Sequence, residues 1–466
     1  MKKFRSSTFY IALGLASLAF AFFWLPVPRL FDVACYALIL LFIPKVLAPS
    51  SQDLRRDPVI RLGFFFFLYI VISIIWHRLT LPDYFPDTTS DRRFLRVLYF
   101  PAIAYAIVHS PFLSAWRLLA VAFAGLLTYL AFTFNPGEWI LAWQGERADF
   151  GIQNAQHTGI VFATCTLALS AFLPRFYAWT KHKPGPAAPL GVIIWGLAWL
   201  FSAGGVFISQ TRAVWLALCI TLLVLPALLG TAYLLRGRPQ LMLRKPLLAI
   251  VVGGALLIPL ASSFDIPELV SERLESENVT WESLRQAASH EEHNLSSIEI
   301  RVASWSAAAD WIMEKPFMGW GGRGSRPLIR NSDLFSDDFK KQFNHLHNSY
   351  LQTLVEIGLI GSLFIVALMA LIGRATIKAY QQQRMPLDAF LFSSLFFIFW
   401  LIVNSFESYI IYSSGTYLVT VVAGFAYSFC LRKERYPAIR HGDDQVSGEC
   451  ATQERRDARY SVPSPT

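Results

Sequence analysis

The chain has 466 residues, of which 54% are hydrophobic and only 16% are charged. Charged residues make up about 25% of an ordinary soluble protein, so this composition excludes that class. The formal net charge of +9 is a property that basic nucleic-acid-binding proteins share. Most of these basic residues, however, lie in short loops between apolar runs, so we expect them to set membrane topology and we expect no nucleic-acid partner.

Apolar runs near 20 residues long recur along the whole chain, and a helix of about 20 residues crosses the hydrocarbon core of a membrane. We therefore predict an all-α polytopic membrane protein with about twelve transmembrane helices. The fourth run is short and contains Pro101, so a re-entrant segment is the alternative there. The predicted spans are 8–26, 30–48, 60–79, 95–110, 112–134, 157–175, 189–208, 213–234, 247–263, 349–372, 388–405 and 411–431.

Lysine and arginine residues cluster before the first span and after the second, sixth, eighth, tenth and twelfth. These positions share one side of a twelve-span chain, and the positive-inside rule makes that side the cytoplasm. Both termini are then cytoplasmic. The predicted divisions are 1–263 with helices 1 to 9, 264–348 as a large, mainly helical periplasmic loop domain, 349–431 with helices 10 to 12, and 432–466 as a disordered cytoplasmic tail.

Several arginines lie on the periplasmic side of this topology, where the positive-inside rule disfavours them: Arg92, Arg93, Arg147 and Arg212. Snorkelling to lipid headgroups, or pairing with a neighbouring acid such as Asp91, is the alternative explanation. For Arg212 we favour a function, because the tight turn between spans seven and eight has little local use for a guanidinium. Arginine binds phosphate oxygens bidentately, so these residues predict an anionic substrate headgroup, such as a lipid-linked phosphate or pyrophosphate.

The first part of the periplasmic loop, residues 267–299, is rich in glutamate and predicts a solvated, partly helical stretch. Its His290 and His293 flank two glutamates, which resembles a zinc-binding helix signature. That signature needs two histidines four residues apart, whereas these are three apart, so we expect no metal site.

The second part of the loop has the apolar spacing of a helix, with Arg301 as the polar exception near its start. A glycine-rich segment, residues 318–324, follows and contains Arg323. Glycine lets a backbone approach another group closely, so this segment predicts a contact with a sugar or phosphate. The alternative is that this segment only connects its neighbouring elements.

The strongest local signal is His347, which comes immediately before the tenth span. A neutral imidazole takes a proton from a hydroxyl, which is what activating a sugar acceptor requires. Asn348 is placed to orient the ring or a substrate hydroxyl, and Glu356 is a costly charge two turns into the membrane. The alternative is that His345 and His347 are interfacial residues satisfied by the backbone or by headgroups.

These residues carry a resemblance to a known family. The stretches 347–352 and 356–361 resemble the histidine-asparagine motif that opens the helix after the large periplasmic loop of bacterial O-antigen ligases. The stretches 209–216, 301–305 and 316–321 are similar to the same superfamily. The resemblance covers most of the chain in topology and about 60 residues in motif.

The resemblance implies a metal-independent membrane glycosyltransferase without a cofactor. Such an enzyme transfers O-antigen polysaccharide from undecaprenyl pyrophosphate to lipid A-core at the periplasmic face of the inner membrane, with membrane lipids around it. By position, the family's catalytic histidine falls on His347 and its two essential arginines on Arg212 and Arg301. The further substrate-binding candidates are Arg92, Arg93, Arg147, Arg323, Asn348 and Glu356.

Other activities remain open. O-antigen polymerases and the oligosaccharyltransferases that glycosylate protein serines share the motif, so it identifies the superfamily better than the acceptor. The long loop between spans nine and ten favours the ligase. A flippase for lipid-linked glycans belongs to another class, and it would place charges along a pathway through the spans. Here the unusual residues gather at one face.

Overall fold

The computed structural model describes residues 2–82, 90–181, 187–237, 297–333, 335 and 337–436, and within these ranges the chain is helical without β-strands. The predicted ninth span, the glutamate-rich part of the loop up to residue 296, and the tail beyond residue 436 lie outside them. The helices are α1 (Lys2–Phe23), α2 (Pro28–Leu47), α3 (Gln52–Arg56), α4 (Pro58–Thr80), α5 (Phe100–His109), α6 (Ala115–Phe132), α7 (Pro136–Trp143), α8 (Ala155–Thr180), α9 (Ala187–Ile208), α10 (Arg212–Leu235), α11 (Ser297–Glu314), α12 (Ser325–Asn331), α13 (Asp337–Gln342), α14 (Ser349–Gln381), α15 (Leu387–Val403) and α16 (Ser413–Leu431).

Eight of the described helices are long and apolar enough to cross a membrane: α2, α4, α6, α8, α9, α10, α14 and α16. Two shorter apolar helical stretches, Thr8–Phe23 and Leu387–Val403, match the predicted first and eleventh spans. The fold is that of an all-α polytopic membrane protein, as the sequence predicts.

The predicted fourth span, 95–110, is not one continuous α-helix. A 3-10 helix, Ser90–Tyr99, leads directly into α5, which has only 10 residues. Pro101 lies in the first turn of α5, where a missing backbone N–H costs nothing because that turn has no intrahelical acceptor. The proline therefore marks a helix start inside the predicted span.

Helix α16 lies at the centre of the bundle. Within its most apolar window 78% of the residues are buried inside the protein, against 17% for α9, which faces outward. Small residues allow this close packing. A Cβ at Gly424 would stand 2.9 Å from the side chain of Ile103 on α5, so a larger residue there would push the two helices apart.

Helix α14 breaks at Gly358, whose φ of +61° lies in the left-handed region. The break leaves backbone groups without helical partners, and the segment 316–321 binds them. Trp320 N donates to the carbonyl of Val355 at 2.8 Å, and Leu359 N donates to the carbonyl of Pro316 at 2.8 Å. On the other side, His77 Nε2 of α4 lies 3.0 Å from the carbonyl oxygen of Gly319.

The glycine-rich segment thus makes its close backbone approach to α14. A Cβ at Gly319 would stand 2.7 Å from Gly358 N, and one at Gly358 would overlap the carbonyl of Phe317. These contacts explain the two glycines, and a contact between this segment and a sugar or phosphate stays a prediction. The contact anchors the described part of the loop before α14 onto the first turns of that helix.

We predict that Gly358→Ala destabilises the protein by about 1–3 kcal/mol, because alanine is strained at positive φ and its methyl group would meet the Phe317 carbonyl. The measurement is thermal unfolding in detergent. Gly373→Ala is the matched control, since Gly373 lies on the same helix and an added methyl group there would have no other atom within 4 Å. Equal melting temperatures for the two variants would contradict the proposed role of the break.

Candidate active site

The site is built where α14 begins. Asn348 caps this helix, since its Oδ1 accepts hydrogen bonds from Tyr350 N at 2.9 Å and Leu351 N at 3.1 Å. An N-cap residue has non-helical backbone, and Asn348 is extended with a φ of −157°, while His347 before it has a φ of +49°. Trp305 of α11 holds this turn by donating from Nε1 to the carbonyl of Leu346 at 3.0 Å.

Glu407 lies in the connection between α15 and α16, and its carboxylate is shared by two histidines. His347 Nδ1 lies 3.1 Å from Oε2, and His345 Nε2 lies 2.9 Å from Oε1. The backbone N–H of Ser408 also donates to Oε1, at 2.7 Å. The side chain of Glu407 is only 3% exposed, so these three contacts replace the water that would otherwise solvate the carboxylate.

The electrostatics of the cluster favour an ionised carboxylate beside a neutral imidazole. Burial opposes ionisation of Glu407, but the charges of His345 and His347 and their hydrogen bonds outweigh it and hold its pKa well below the usual range. Burial lowers the pKa of His347, and the charges of His345 and Arg301 act in the same direction against Glu407. His347 therefore stays a free base at neutral pH.

The free nitrogen of His347 is Nε2. Because Nδ1 faces the carboxylate, the stable neutral tautomer carries its proton on Nδ1 and leaves the Nε2 lone pair available. Nε2 is buried and has no hydrogen-bond partner among the described residues. An oriented imidazole with an unused lone pair is the arrangement of a general base.

Arg301 lies next to this dyad. It sits on α11, and its Nε donates to the carbonyl of Phe406 at 3.3 Å. Phe406 immediately precedes Glu407, and the charge of Arg301 is felt at His347. The structure therefore brings together His347 and Arg301, which the sequence places 46 residues apart.

Arg212 is the first residue of α10 and lies at the same end of the bundle. Thr211 Oγ1 donates to the carbonyl of Ala155 at 3.2 Å, which ties the start of α10 to the start of α8. From there His157 Nδ1 lies 2.5 Å from Ser414 Oγ, and its ring meets the ring of Tyr412 edge-on at 4.9 Å. Tyr412 in turn contacts His345. A series of contacts therefore links the start of α10, where Arg212 lies, to the histidine cluster.

Two of the substrate-binding candidates at this end are exposed. Arg147 donates from Nε to the carbonyl of Ser209 at 3.1 Å, three residues before Arg212. Arg323 is exposed at the start of α12, with a φ of +65°. The side chain of Arg92 lies outside the described part of the structure. Substrate binding by these three arginines stays a prediction.

Comparison with known proteins adds one match. Residues 197–366 match the family model described as O-antigen ligase, a range that contains Arg212, Arg301 and His347. This match supports a relationship of this part of the chain to the O-antigen ligase/polymerase superfamily. A search of curated proteins found no match for this chain.

Arg93 and Glu356, both predicted to bind substrate, pair with each other in the structure. Glu356 is fully buried. Its Oε2 pairs with Arg93, and its Oε1 accepts from Gln352 Nε2 at 2.6 Å and from Ser325 Oγ at 3.2 Å. The geometry favours a supporting role for both residues, because the pair joins the 3-10 helix before α5 to α12 and α14.

Asn348 likewise has its amide occupied. Besides capping α14 through Oδ1, it donates from Nδ2 to the carbonyl of Ser405 at 3.1 Å. The backbone N–H of Asn348 donates to Ser408 Oγ at 3.2 Å. These bonds fasten the histidine turn to the connection that carries Glu407, so the amide orients His347 through the backbone of both segments.

Sequence reasoning missed Glu407 and Tyr412 and left His345 without a role. The signal for Glu407 was present: an acid in a short connection between two apolar spans has as little local use there as Arg212 has in its turn. Tyr412 carries no comparable signal. One more tyrosine at the edge of a span is indistinguishable from an interfacial anchor.

One nitrogen or oxygen atom from each of His345, His347 and Glu407 lies within 4.8 Å of the others, a grouping that could hold a metal ion. The two nitrogen–oxygen contacts, at 2.9 and 3.1 Å, have the separation of hydrogen-bonded pairs. Pairs at these separations can share a proton. The expectation of a metal-independent site stays a prediction.

We predict that Glu356→Gln destabilises the protein by about 3–5 kcal/mol, because it leaves the Arg93 guanidinium without its buried counter-charge. Chemical or thermal unfolding in detergent measures the loss. Asp53→Asn is the matched control, because the Asp53–Lys433 pair is almost fully exposed and 3.6 Å apart. If Glu356→Gln unfolds like the control, the buried pair has no structural role.

Proposed function

We propose that this protein is an O-antigen ligase. In this proposal it transfers O-antigen polysaccharide from undecaprenyl pyrophosphate to lipid A-core at the periplasmic face of the bacterial inner membrane. The observation that carries the proposal is the buried His347–Glu407 dyad with an unused Nε2, held beside Arg301 at the end of the bundle that also carries Arg212.

The proposed reaction is a direct displacement. His347 Nε2 takes the proton of an acceptor-sugar hydroxyl as that oxygen attacks the anomeric carbon of the donor. The bond from this carbon to the pyrophosphate oxygen breaks, and the electron pair leaves with undecaprenyl pyrophosphate. Attack from the face opposite the leaving group inverts the anomeric configuration. No metal or cofactor takes part in this scheme.

Arg212 and Arg301 are proposed to bind the pyrophosphate. Their guanidinium groups suit its oxygens, and they neutralise the charge that develops on the leaving group. Glu407 acts through His347: it selects the tautomer with the proton on Nδ1 and stabilises the imidazolium that forms during the reaction. It is therefore a positioning residue.

The membrane orientation rests on the distribution of basic residues. The opposite end of the bundle carries Arg55, Arg175 and Arg384, among others, and the positive-inside rule assigns that end to the cytoplasm. In this orientation the dyad faces the periplasm. A polymerase or a protein oligosaccharyltransferase would use the same dyad and arginines, so the acceptor decides among the three activities.

We predict that His347→Gln lowers kcat for transfer from lipid-linked O-antigen to lipid A-core by about 10²–10⁴-fold, because the general base is lost. Purified protein in detergent and gel-resolved product measure the rate. The matched control is His109→Gln, a histidine at the far end of α5 that is expected to keep full activity. Undiminished transfer by the His347 variant would remove the base from the proposed mechanism.

The pH dependence provides a second test. Because the pKa of His347 is lowered, its base form persists below the ordinary imidazole value of about 6.5, and the acid limb of the kcat profile should lie below that pH. Glu407→Gln removes the charge that favours the imidazolium, so the limb should move to lower pH while kcat falls about 10²–10⁴-fold. A limb at or above pH 6.5 in the unsubstituted protein contradicts the assignment.

The choice of acceptor separates the candidate activities. The same donor is offered with lipid A-core, with a second lipid-linked glycan, or with a serine-containing peptide, without ATP. Covalent transfer to lipid A-core alone supports the ligase. Transfer only to the second glycan or to the peptide would assign the polymerase or the oligosaccharyltransferase activity instead, and failure with all three would favour a non-catalytic role such as transport.

A further inference from the structure

A long cavity lies between α6 on one side and α8 and α9 on the other, away from the histidine cluster, with α16 as its floor. Its volume is about 1630 Å³, whereas a pocket for a small ligand usually has about 300–1,000 Å³. Residues of α8 line it from Val161 to the C-cap Lys181. That helical distance is about 30 Å, which is close to the thickness of the hydrocarbon core of a membrane. The cavity is therefore long enough to hold extended hydrocarbon chains.

The interior of the cavity suits hydrocarbon. Its polar side chains include Tyr417 and Thr164, and both have their hydrogen bonds within the protein. The Tyr417 hydroxyl donates to the carbonyl of Ala21 at 2.5 Å, and Thr164 Oγ1 donates to the carbonyl of Ile160 at 2.7 Å. An acyl chain beside these residues would leave neither of the two groups unsatisfied.

One end of the cavity is basic. Arg117 lies there in the first turn of α6 and Lys181 at the end of α8, and both are exposed. The two helix ends lie side by side, because the guanidinium carbon of Arg175 on α8 is 4.1 Å from the ring centre of Trp116 on α6. Arg175 is paired with Asp388. Within the part of the chain that the structure describes, no aspartate or glutamate lines the cavity, so this end carries a net positive charge.

The positions of these two basic residues differ from those of other cations at the same end of the bundle. Arg384, for example, donates from Nη1 to the carbonyls of Cys430 and Arg432 at 2.7 and 2.8 Å. Arg117 donates one N–H to a backbone carbonyl, and the Lys181 ammonium has no partner among the described residues. The positive-inside rule accounts for basic residues at this end, but it does not require them to stand at the mouth of a cavity.

Aromatic side chains line the same end. Tyr177 lies one helical turn before Lys181 on the same face of α8, and it is 58% exposed. Trp179 and Trp195 are further lining residues, and tryptophan and tyrosine favour the headgroup level of a membrane. A phosphate between Arg117 and Lys181 would therefore meet guanidinium, ammonium and hydroxyl donors above an apolar channel.

We propose that this cavity binds one anionic glycerophospholipid of the cytoplasmic leaflet. Its phosphate lies between Arg117 and Lys181, and its acyl chains run along α8 and α16. The positive-inside rule assigns the basic end to the cytoplasm, where anionic lipids attract basic residues near the membrane surface. The lipid is distinct from the proposed donor, whose pyrophosphate would lie beside Arg301 at the other end of the bundle.

The test is native mass spectrometry of the full-length protein, released from detergent micelles that contain either phosphatidylglycerol or phosphatidylcholine with the same acyl chains. Only phosphatidylglycerol carries a net negative charge. We expect the protein to retain it about tenfold or more over phosphatidylcholine, because each basic residue contributes about fivefold. Arg117→Gln and Lys181→Gln should each lower this ratio about fivefold, and the double variant should remove the preference.

Two further variants separate a seated lipid from general attraction to surface charge. Arg374→Gln is the matched control, since Arg374 is an exposed basic residue at the same end of the bundle that does not line the cavity. It should keep the full preference for phosphatidylglycerol. Ala198→Phe places a ring inside the cavity from α9 without changing any charge, and it should cause a loss of both lipids.

Three outcomes would overturn the inference. Equal retention of the two lipids by the unsubstituted protein would mean that the basic end selects no anion. A loss of preference in Arg374→Gln as large as in Arg117→Gln would mean that the lipid responds to surface charge in general. Unchanged retention in Ala198→Phe would place the lipid outside the cavity. Lipid retention is measured without donor or acceptor, so its failure is distinguishable from a failure of the proposed glycosyl transfer.

Discussion

The structure at this end of the bundle depends on a single buried carboxylate. Glu407 lies in the short connection between α15 and α16, and removing its charge from water is costly unless opposite charge and hydrogen bonds replace it. Two imidazoles and the N–H of Ser408 supply those contacts. The need to satisfy this carboxylate fixes the histidine turn against the connection, and so orients His347 Nε2, which has no hydrogen-bond partner among the described residues.

The turn and the connection are also joined by neutral hydrogen bonds. Ser349 Oγ donates to the side chain of Asn404 and lies 3.0 Å from the carbonyl of Glu407. Asn348 caps α14 while it holds Ser405 and Ser408. Such bonds leave the histidine and the glutamate little freedom to move apart. In the proposed reaction the two side chains would not have to move when the imidazolium forms, and electrostatic catalysis requires such preorganisation.

The broken helix α14 provides the second constraint. At Gly358 the helix gives up backbone hydrogen bonds, and the segment 316–321 takes their place. The described part of the loop is therefore joined to a membrane helix by backbone contacts in addition to side-chain packing. Because α11 belongs to the same packed unit, through Ala303, Ala307 and Trp311, this junction places Arg301 over the dyad. The buried Arg93–Glu356 pair strengthens the same junction from the 3-10 helix.

The sequence by itself determined the class of the protein and most of its spans, and it predicted His347, Arg212 and Arg301 as site residues. These follow from local properties: apolar run length, the side on which basic residues lie, and charged groups with no local use. Only the tertiary structure decided that Glu356 and Arg93 pair with each other, that the glycine-rich segment meets a helix break, and that Glu407 lies between two histidines. The physical reason is that burial and pairing depend on contacts between residues far apart in the chain, 263 positions for Arg93 and Glu356 and 60 for His347 and Glu407, and no local pattern encodes them.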